Sequence, residues 1–523
     1  MLYSLPYSAA EQERRPGMAA GIVTWDKEAD VIVVGYGDAG AVAAITAYDA
    51  GARVLILEKS EHPGGSSVLA GGSFRFVQDV EQAVKYFTRL CDGRTDADVI
   101  RAFAEGMAEN LDFSREMAKV DNAEIRVLNS KPTYPFEGGD GLNNFMIIHI
   151  PGFNGFPWIS GALDNGPRGF KMFMDNVESR RIEVMLDTPA RRLVRDNTGS
   201  IIGVIAQSGG KDIAIRAKRG VILACGGYEQ NEWLKLQYLQ GKPFFSMAPL
   251  THTGDGVIMA QEVGAALWHM WHVHGSYGFK FPEYPVAFRH IFSGPRNSKR
   301  RMPWIVVNKL GRRYMDEYPP MPQDTSHRPM EVFDPDLTTY PGIPSYMIFD
   351  EEGRRLGPIG QPMGLAQYYY EWSRDNSQEI ERGWIISAQT IPQLAEKIMG
   401  LEENEGLMDT STLAATVEEW NRQVADGSDP LGRIPSSMML IKTPPYYAAQ
   451  VWPIISNTQG GPAHDARQQI LDAYLKPIPK LYAAGELGSF FSHLYQGGGN
   501  LGECISSGRV AGRNAAQETP WFD

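Results

Sequence analysis

The stretch ADVIVVGYGDAGAVAAITAYDAGARVLILEKS, residues 29–60, decides the fold of this chain. Val31 to Val34 form an apolar run that predicts a buried parallel strand, and the small residues from Ala41 to Ala50 predict a helix. A second apolar run, Val54 to Leu57, predicts the next strand and ends at Glu58. Strand, glycine-rich turn, helix and strand in this order predict a βαβ unit of the dinucleotide-binding type.

Three glycines and one acid give this unit its chemistry. Gly35 permits a tight turn, Gly37 lets a pyrophosphate approach the backbone, and Gly40 lets the helix pack closely on the strand. The first N–H groups of the helix then face the phosphates. Glu58, 18 residues after Gly40, is placed to accept both hydroxyls of an adenosine ribose and to repel a 2′-phosphate. Together these residues predict a dinucleotide site.

Composition and length limit the class of protein. The 523 residues allow two or more domains, and the formal net charge of −12 disfavours nucleic acid or an anionic membrane as a partner. No apolar run is long enough to span a bilayer, and residues 1–30 lack the apolar core of a secretory signal. The three cysteines are odd in number and far apart, which favours neither disulfides nor a metal site. We therefore expect a cytoplasmic protein.

A glycine-rich segment downstream distinguishes between the dinucleotides. Residues 59–76, KSEHPGGSSVLAGGSFRF, contain two glycine pairs that flank the hydroxyls of Ser66 and Ser67. A flavoenzyme uses such a backbone to pass beneath the pyrophosphate and reach the isoalloxazine ring, whereas a nicotinamide enzyme does not need it. The sequence therefore favours FAD over NAD.

Two later strand ends carry further glycines. Val221 to Ala224 predicts a strand that leads to Gly226, and the segment THTGDG places Asp255 at the start of a helix. Leu481 to Ala484 predicts another strand, followed by Gly485 and Glu486. A glycine-rich turn and a final helix of small residues come after it.

These segments in combination resemble the flavoprotein superfamily that contains fumarate reductases, succinate dehydrogenases and 3-ketosteroid dehydrogenases. The resemblance implies an α/β fold in which a Rossmann-like FAD-binding domain is split in sequence by an inserted α+β cap domain. It places the first part of the FAD-binding domain at residues 27–265, the substrate cap at 266–440 and the second part at 441–520.

The resemblance also assigns positions around FAD. Glu486 would hold the ribityl chain, and the helix beginning at Asn500 would point its positive end at the flavin N1–O2 edge. No histidine lies between Gly65 and Gly72, so we expect the FAD to be non-covalent. The predicted cofactor-binding residues are Gly35, Gly37, Asp38, Ala39, Gly40, Glu58, Lys59, Gly65, Ser66, Ser67, Gly71, Gly72, Ala190, Ala224, Gly226, Asp255, Gly485, Glu486, Asn500 and Leu501.

Two further kinds of cofactor are not expected. The chain has no second strand–GxGxxG–helix unit for a nicotinamide, so electrons would pass to or from a separate acceptor or donor. The spacing of His269 and His272 would put them on one helical face, with His274 nearby. Because no Asp, Glu or Cys accompanies them, we predict no metal site there.

The active-site pattern of fumarate reductases is missing at the positions that the resemblance assigns. Met321 and Gln496 stand where arginines are expected, and Asn457 stands where a histidine is expected. Without those charges a dicarboxylate would enter a dry pocket unpaired, which costs several kcal/mol. Succinate and fumarate are therefore disfavoured, unless a cation enters from a shifted loop; the candidates are Arg289, Arg296 and Arg328.

A different pair of residues resembles the 3-ketosteroid dehydrogenases. Tyr495 lies four residues before Gly499, and in that family a tyrosine hydroxyl and a glycine N–H hold the carbonyl oxygen of the substrate. Two such neutral donors stabilise the enolate that forms when a proton leaves the adjacent carbon. For the catalytic base, Tyr318 is the first choice and His327 the second.

The leading hypothesis is an FAD-dependent dehydrogenase or reductase that acts on a C–C or C=C bond alpha,beta to a carbonyl of a small, apolar, cyclic substrate. The reaction would combine abstraction of the α-proton with transfer of hydride to flavin N5, and the residues do not encode its direction. Two alternatives remain open: a fumarate-reductase-type reductase of an unsaturated carboxylate, and a non-catalytic flavin electron-transfer subunit. Cap aromatics such as Phe281 and Trp384 suit an apolar ligand or ordinary core packing.

Overall fold

The computed structural model describes residues 24–159, 165–294, 296–362 and 368–521. Its strands are β1 (Lys27–Val34), β2 (Val54–Leu57), β3 (Ser73–Val77), β4 (Glu124–Val127), β5 (Leu142–His149), β6 (Glu183–Met185), β7 (Ala190–Arg195), β8 (Ile201–Ser208), β9 (Lys211–Leu223), β10 (Phe245–Ser246), β11 (Leu267–Trp268), β12 (Val273–Phe279), β13 (Phe288–Arg289), β14 (Ile305–Val307), β15 (Ser345–Asp350), β16 (Ile385–Ala388), β17 (Tyr446–Thr458), β18 (Gly461–Pro462), β19 (Gln469–Leu471) and β20 (Pro477–Ala483). Its helices are α1 (Asp38–Asp49), α2 (Val80–Cys91), α3 (Ala97–Ala108), α4 (Asn110–Met117), α5 (Asn165–Ser179), α6 (Glu232–Tyr238), α7 (Asp255–Glu262), α8 (Pro322–Thr325), α9 (Glu351–Arg355), α10 (Ser377–Glu381), α11 (Ile391–Met399), α12 (Thr410–Asp426) and α13 (Gly499–Gln517).

The described residues divide between two compact units. The first unit contains the described residues up to Tyr238, residues 249–272 and the described residues from Asn457 onward. The second unit contains residues 239–248 and 273–456. Within the described ranges, no helix has the length and apolarity needed to cross a membrane.

The first unit is built on a sheet whose central strands are parallel. Its order is β19-β20-β9-β1-β2-β6, and β8 joins it through β9 with β7 alongside. β1 is parallel to β2 and to β9, and β20 is parallel to β9. The whole of β2 and the last four residues of β1 are buried, as central parallel strands covered on both faces must be. The predicted α/β, Rossmann-like fold is confirmed.

Alternate residues of β1 enter two separate apolar cores. Val31 and Val33 pack with residues of α1, α5 and α13, whereas Ile32 and Val34 pack with residues of α7. Because successive side chains of a strand point to opposite faces, the two cores cover the two faces of the sheet. The continuous apolar run that decides the fold therefore contributes to both layers.

Helix α1 starts three residues earlier than the sequence predicted. It begins at Asp38 rather than Ala41, and Gly37 caps it, so Gly40 lies inside its first turn. A Cβ on Gly40 would lie only 2.0 Å from the carbonyl oxygen of Gly35. Only glycine therefore lets the helix begin directly on the turn.

The final helix, α13, packs closely on α1 through two glycines. A Cβ on Gly508 would lie 2.8 Å from the carbonyl oxygen of Ala39. A Cβ on Gly512 would lie 2.4 Å from that of Ala43. Because both glycines lack a side chain, the backbones of the two helices come into direct contact.

The second unit contains the sheet β13-β12-β17-β15-β14, and β10 and β16 also pair with β17. Its core is aromatic: the rings of Phe281 and Trp384 stack with their centroids 3.8 Å apart, and Phe279, Phe288 and Trp372 belong to the same cluster. These cap aromatics therefore pack on one another in an ordinary core, one of the two interpretations that the sequence left open.

Four charged side chains are paired in the interior of the second unit. Arg313 donates to both oxygens of Glu317 at 2.7 Å, and Arg433 lies 3.3 Å from the same carboxylate. Arg313 also donates to both oxygens of Asp429, at 2.6 and 2.9 Å. The side chains of Glu317, Asp429 and Arg433 are completely buried. Two cations and two anions thus balance one another.

Candidate functional site

The carboxyl ends of four parallel strands, β1, β2, β9 and β20, lie at one edge of the first unit's sheet. Gly35, Glu58 and Ala224 directly follow β1, β2 and β9, and Gly485 follows β20 after one residue. Gly35 has a φ of +105°, and a Cβ there would lie 2.2 Å from the carbonyl oxygen of Ala224. Open α/β sheets bind ligands at this edge.

The turn after β1 is held against the predicted serine segment. The N–H of Asp38 donates to Oγ of Ser67 at 3.0 Å, and the N–H of Gly64 donates to the carbonyl of Tyr36 at 2.7 Å. Ser66 precedes the short 3₁₀ helix that Ser67 begins. A Cβ on Gly37 would lie 3.3 Å from Oγ of Ser67. The structure thus brings the glycine turn and the serines together.

Backbone donors orient the carboxylate of Glu58. Its Oε2 accepts a hydrogen bond from the N–H of Tyr36, and its Oε1 accepts one from the N–H of Ser60, both at 2.9 Å. Each carboxylate oxygen can accept a second hydrogen bond. The group therefore fits the ribose hydroxyls that the sequence assigned to it.

The other predicted cofactor residues occupy the same unit. Lys59 donates to Oγ1 of Thr253 at 2.8 Å and to Oδ2 of Asp255 at 2.7 Å, so Lys59 and Asp255 pair with each other. The remaining predicted residues are Ala39 on α1, Gly65, Gly71 and Gly72 in the segment after β2, Ala190 at the start of β7, Gly226 after β9, and Leu501 on α13.

Several buried polar atoms in this unit are unsatisfied. Neither carboxylate oxygen of Asp38 has a hydrogen-bond partner among the described residues, and burial raises the pKa of Asp38 to about 7. The same part of the chain offers no partner to the side-chain amide of Asn500 or to Oε1 of Glu486. Buried polar groups normally have partners. These atoms and the glycine turn fit a large polar ligand such as FAD.

Tyr495 lies against the start of α13. A Cβ on Gly499 would lie 3.3 Å from Cε2 of Tyr495, and the Tyr495 hydroxyl accepts a long hydrogen bond, 3.4 Å, from the N–H of Asn500. The N–H of Gly499 donates to the carbonyl of Gln496 at 2.7 Å. The structure therefore brings Tyr495 and Gly499 together, although the glycine N–H already has a partner within the turn.

Residues that sequence reasoning missed hold this turn in place. Oε1 of Gln496 accepts hydrogen bonds from the Tyr86 hydroxyl and from the N–H of Thr133, and its Nε2 donates to Oγ1 of Thr133 at 2.9 Å. Buried Arg75 donates to the carbonyl of Gly497 at 2.8 Å. Tyr86, Thr133 and Arg75 lie hundreds of residues before the turn, and no local pattern marks them.

The two candidate bases, Tyr318 and His327, belong to the second unit. Tyr318 is 1 % exposed, its hydroxyl accepts a hydrogen bond from the N–H of Asn297 at 2.8 Å, and its ring packs edge-on against Phe292. Nδ1 of His327 lies 2.6 Å from Oε1 of Glu331. This contact assigns the proton to Nδ1 and leaves Nε2 as the basic nitrogen.

A buried acidic cluster borders the predicted cofactor residues. Glu486 accepts a hydrogen bond from the side-chain amide of Asn457 at 2.7 Å, and Glu229 accepts one from the N–H of Thr458 at 2.7 Å. Nδ1 of His252 lies 3.1 Å from Oε2 of Glu229. A ring nitrogen of His252 and one carboxylate oxygen from each of Glu229 and Glu486 all lie within 4.8 Å of one another. The sequence singled out only Glu486.

The three histidines considered earlier do not share a helix. Residues 267–268 form β11 and residues 273–279 form β12, with a turn at residues 270–271. His269 has a φ of +54°, outside the helical region. The helical interpretation of His269 and His272 is therefore wrong, because the backbone there changes direction between two strands.

The family of this chain follows from its match to a known sequence profile. The profile of the FAD binding domain family matches residues 30–501. The chain belongs to this family. It is a flavin-dependent oxidoreductase acting on CH–CH groups, and the prediction of FAD as cofactor is confirmed.

Two relatives extend over nearly the whole chain. Urocanate reductase from Eggerthella lenta is 27 % identical over 530 residues, covering 96 % of this chain and 76 % of the relative. A 3-oxosteroid 1-dehydrogenase from Mycolicibacterium smegmatis is 26 % identical over 579 residues, covering 94 % and 97 %.

Two solved structures share the fold. The 3-ketosteroid Δ1-dehydrogenase from Sterolibacterium denitrificans has a TM-score of 0.77 at 22 % identity and covers 94 % of this chain and 99 % of its own. A flavocytochrome c3 fumarate reductase has a TM-score of 0.66 at 24 % identity and covers 94 % and 79 %. The resemblance to ketosteroid dehydrogenases and fumarate reductases is confirmed at the level of the fold.

Proposed function

We propose that this enzyme binds FAD non-covalently and oxidises or reduces a C–C or C=C bond alpha,beta to a carbonyl of an apolar, cyclic substrate. The observation that supports this most directly is the position of the Tyr495 hydroxyl, within 3.4 Å of the Asn500 N–H at the start of α13. Bound FAD supplies a hydride acceptor or donor. The residues of the chain activate the carbonyl and move the proton.

Tyr495 donates a hydrogen bond to the substrate's carbonyl oxygen. A phenol is a neutral donor, and the N-terminus of α13 adds the positive end of the helix dipole at the same place. Both effects grow as enolate charge develops on that oxygen, so they lower the barrier to loss of the α-proton. Because the Gly499 N–H donates to Gln496, we assign Gly499 to shaping the turn.

For the base we favour His327 over Tyr318. The Tyr318 hydroxyl is enclosed in an aromatic core and accepts a backbone hydrogen bond, which opposes its movement towards a substrate. His327 is oriented by Glu331, an arrangement that leaves Nε2 to accept a proton. The pH dependence of kcat decides between them: His327→Gln should remove the limb due to the base, and Tyr318→Phe should retain it.

The test of carbonyl activation is Tyr495→Phe. Loss of one such donor lowers kcat by about 10²–10³-fold, with little change in KM, because the hydrogen bond strengthens in the transition state. Turnover of cyclic enones or saturated ketones with an artificial electron acceptor or donor measures this effect, and flavin absorbance verifies that FAD is retained. Acid precipitation should release the flavin into solution.

Tyr474→Phe is the matched control, because that ring is 84 % exposed. It should keep the wild-type rate. Near-full activity of Tyr495→Phe would reduce Tyr495 to a packing residue and remove the main support for the mechanism.

A second candidate function is reduction of an unsaturated carboxylate, as the name of the urocanate reductase relative suggests. Arg296 lies 3.8 Å from the carboxylate of Asp316, and Arg328 lies 3.8 Å from that of Asp324. Arg289 donates to the hydroxyl of Ser456, and these three arginines are the cations that would bind such a substrate. Reduction of urocanate or fumarate with a reduced viologen dye, at a rate comparable to that of an enone, would favour this alternative.

A further inference from the structure

Glu229, His252 and Glu486 form a buried cluster, and the mechanism above gives no role to Glu229 or His252. Glu229 is 0 % exposed, and Glu486 and His252 are at least nine-tenths buried. A Cβ on Gly227 would lie 2.5 Å from Oε1 of Glu229 and also 2.5 Å from Oε1 of Glu486. The absent side chain of Gly227 therefore leaves room for two carboxyl oxygens that face the same point.

The donors around the two carboxyl groups are unequally shared. Glu229 accepts from the N–H of Thr458, is within 3.2 Å of its hydroxyl, and contacts His252. Oε2 of Glu486 accepts from Asn457, whereas its Oε1 has no hydrogen-bond donor in the described part of the chain. A proton on Oε1 of Glu486 would give that atom a partner in Oε1 of Glu229, which faces the same point. N–H groups directed at these oxygens also suit carboxyl groups better than they suit the ligands of a metal ion.

The cluster touches two of the glycines assigned to the cofactor. A Cβ on Gly226 would lie 2.9 Å from Cε1 of His252, and a Cβ on Gly65 would lie 3.5 Å from its Nε2. Glu486 itself is the residue assigned to the ribityl chain. A change of charge in the cluster would therefore act on bound FAD at short range and in a dry environment.

We propose that Glu229 and Glu486 share one proton beside FAD, that His252 positions Glu229 to accept it, and that this proton controls both the retention and the midpoint potential of the flavin. The inference depends on the proposed placement of FAD. Glu229 and His252 are positioning residues in this arrangement, since they act through Glu486.

The electrostatics of the cluster agree with this assignment. Burial and the charge of Glu229 raise the pKa of Glu486 well above its ordinary value. Burial alone would raise the pKa of Glu229 as well, but hydrogen bonds from Glu486 and His252 lower it. Glu486 is therefore the protonated member of the pair and Glu229 the ionised one.

Other titratable groups face the pair from neighbouring elements. Lys235 on α6 is attracted by Glu229 and also pairs with Glu232 at 2.6 Å, so its charge is already partly balanced. Tyr228 and Cys504 are neutral, because burial raises the pKa of each. We therefore expect Tyr228 and Cys504 not to exchange protons where the shared proton titrates.

The sign of the effect follows from charge. Loss of the shared proton at high pH adds a second negative charge beside FAD, which weakens retention of the flavin. Two-electron reduction of the flavin also adds negative charge, so the pair binds its proton more tightly in the reduced protein. The pair therefore has one pKa with oxidised flavin and a higher pKa with reduced flavin. At a pH between these two values, reduction of the flavin draws one additional proton from solvent onto the pair.

The experiment measures the midpoint potential of the holoenzyme by equilibration with reference dyes, from about pH 5 to about pH 10, with flavin release followed in parallel. The wild-type protein should show a pH range in which reduction of the flavin takes up one more proton than it does at other pH values. In Glu229→Gln this range should move down by at least about one pH unit, because the like charge that raises the pKa of Glu486 is gone. Glu116→Gln, at a side chain that is 63 % exposed, is the matched control and should behave as wild type.

If Glu229→Gln does not fold, Glu486→Gln removes the same proton and should abolish the additional uptake. Infrared spectra of the wild-type holoenzyme should also show a protonated carboxyl band that Glu486→Gln lacks. Identical pH dependence in a folded, FAD-bound Glu229→Gln would overturn the inference, and so would a stoichiometric divalent ion that survives dialysis. Absence of FAD from the wild-type protein at every pH would instead contradict the proposed function.

Discussion

Two buried clusters of charged residues, one in each unit, differ in how completely their charges are paired. In the second unit, Glu317 and Asp429 share Arg313, and Arg433 completes the balance. In the first unit, Glu229 and Glu486 face each other with one imidazole beside Glu229, and Oε1 of Glu486 has no hydrogen-bond partner within the described ranges. The charged network of the second unit is complete as it stands, whereas the acidic cluster of the first unit needs a proton or a ligand.

This contrast separates two uses of buried charge. A fully paired network holds loops and strands together, and removal of one member leaves another charge buried without a partner. An incomplete network carries a cost in the unliganded fold that a bound molecule can relieve. The unsatisfied atoms of Asp38 and Asn500 are part of such an incomplete network and lie in the same unit as the glycine turn.

The largest expected effect comes from breaking the complete network. Glu317→Gln leaves Arg313 and Arg433 facing a neutral amide, so the free energy of unfolding should fall by about 3–5 kcal/mol. Denaturant titration measures this loss. Glu229→Gln should cost much less, because it removes one of two facing acids rather than one of a balanced set.

Glu419→Gln is the control for this comparison, since its partner Arg422 is exposed and the loss should stay below about 1 kcal/mol. Equal losses for Glu317→Gln and Glu229→Gln would erase the distinction between the clusters.

An intermediate effect is expected at Asp38. Its pKa in the folded protein, about 7, lies above the ordinary value of 3.8, so the folded protein binds a proton that the unfolded chain releases. Stability is therefore lost as the pH rises from about 4 to about 7. In protein stripped of FAD, Asp38→Asn should be more stable than wild type by about 2–4 kcal/mol at pH 8 and equal to it near pH 3.

Thermal or denaturant unfolding at the two pH values measures this difference. Asp112→Asn, at a side chain that is 83 % exposed, should change neither curve. A gain for Asp38→Asn that is the same at both pH values would show that ionisation of Asp38 is not its cause.

The smallest expected effect concerns Glu58. Glu58→Gln retains one acceptor but removes the charge, and its amide cannot accept from both Tyr36 and Ser60. We expect FAD to bind about tenfold more weakly, from the loss of roughly 1.4 kcal/mol. Fluorescence titration of the stripped protein measures the dissociation constant. Glu61→Gln, at a side chain that is 75 % exposed, should match wild type, and an unchanged constant for Glu58→Gln would exclude Glu58 from the ribose site.

The glycine turn was predictable because its requirements are local. Gly35, Gly37 and Gly40 each satisfy a backbone constraint that shows within a dozen residues of sequence. The start of α1 was misjudged because glycine usually weakens a helix. The close approach of Gly40 to the Gly35 carbonyl, which requires glycine there, appears only in three dimensions.

The acidic cluster could not be predicted in this way. Glu229 and His252 are 23 residues apart, and Glu229 meets Thr458 across 229 residues. His252 lies in the THTGDG segment and Glu229 follows Gly226 by three residues, but neither segment shows that the folded chain brings the two side chains to Glu486. The candidate base was equally hidden, because nothing in the sequence shows that the Tyr318 hydroxyl is enclosed while His327 is oriented by Glu331.

The contact of α1 with α13 has a consequence for biosynthesis. Gly508 and Gly512 pack on Ala39 and Ala43 but are translated several hundred residues after them. Throughout that interval the nascent chain lacks both β20, which pairs with β9, and the helix that covers α1. The pocket edge is therefore completed only after translation of α13, so we expect nascent chains that stop before α13 to retain FAD poorly.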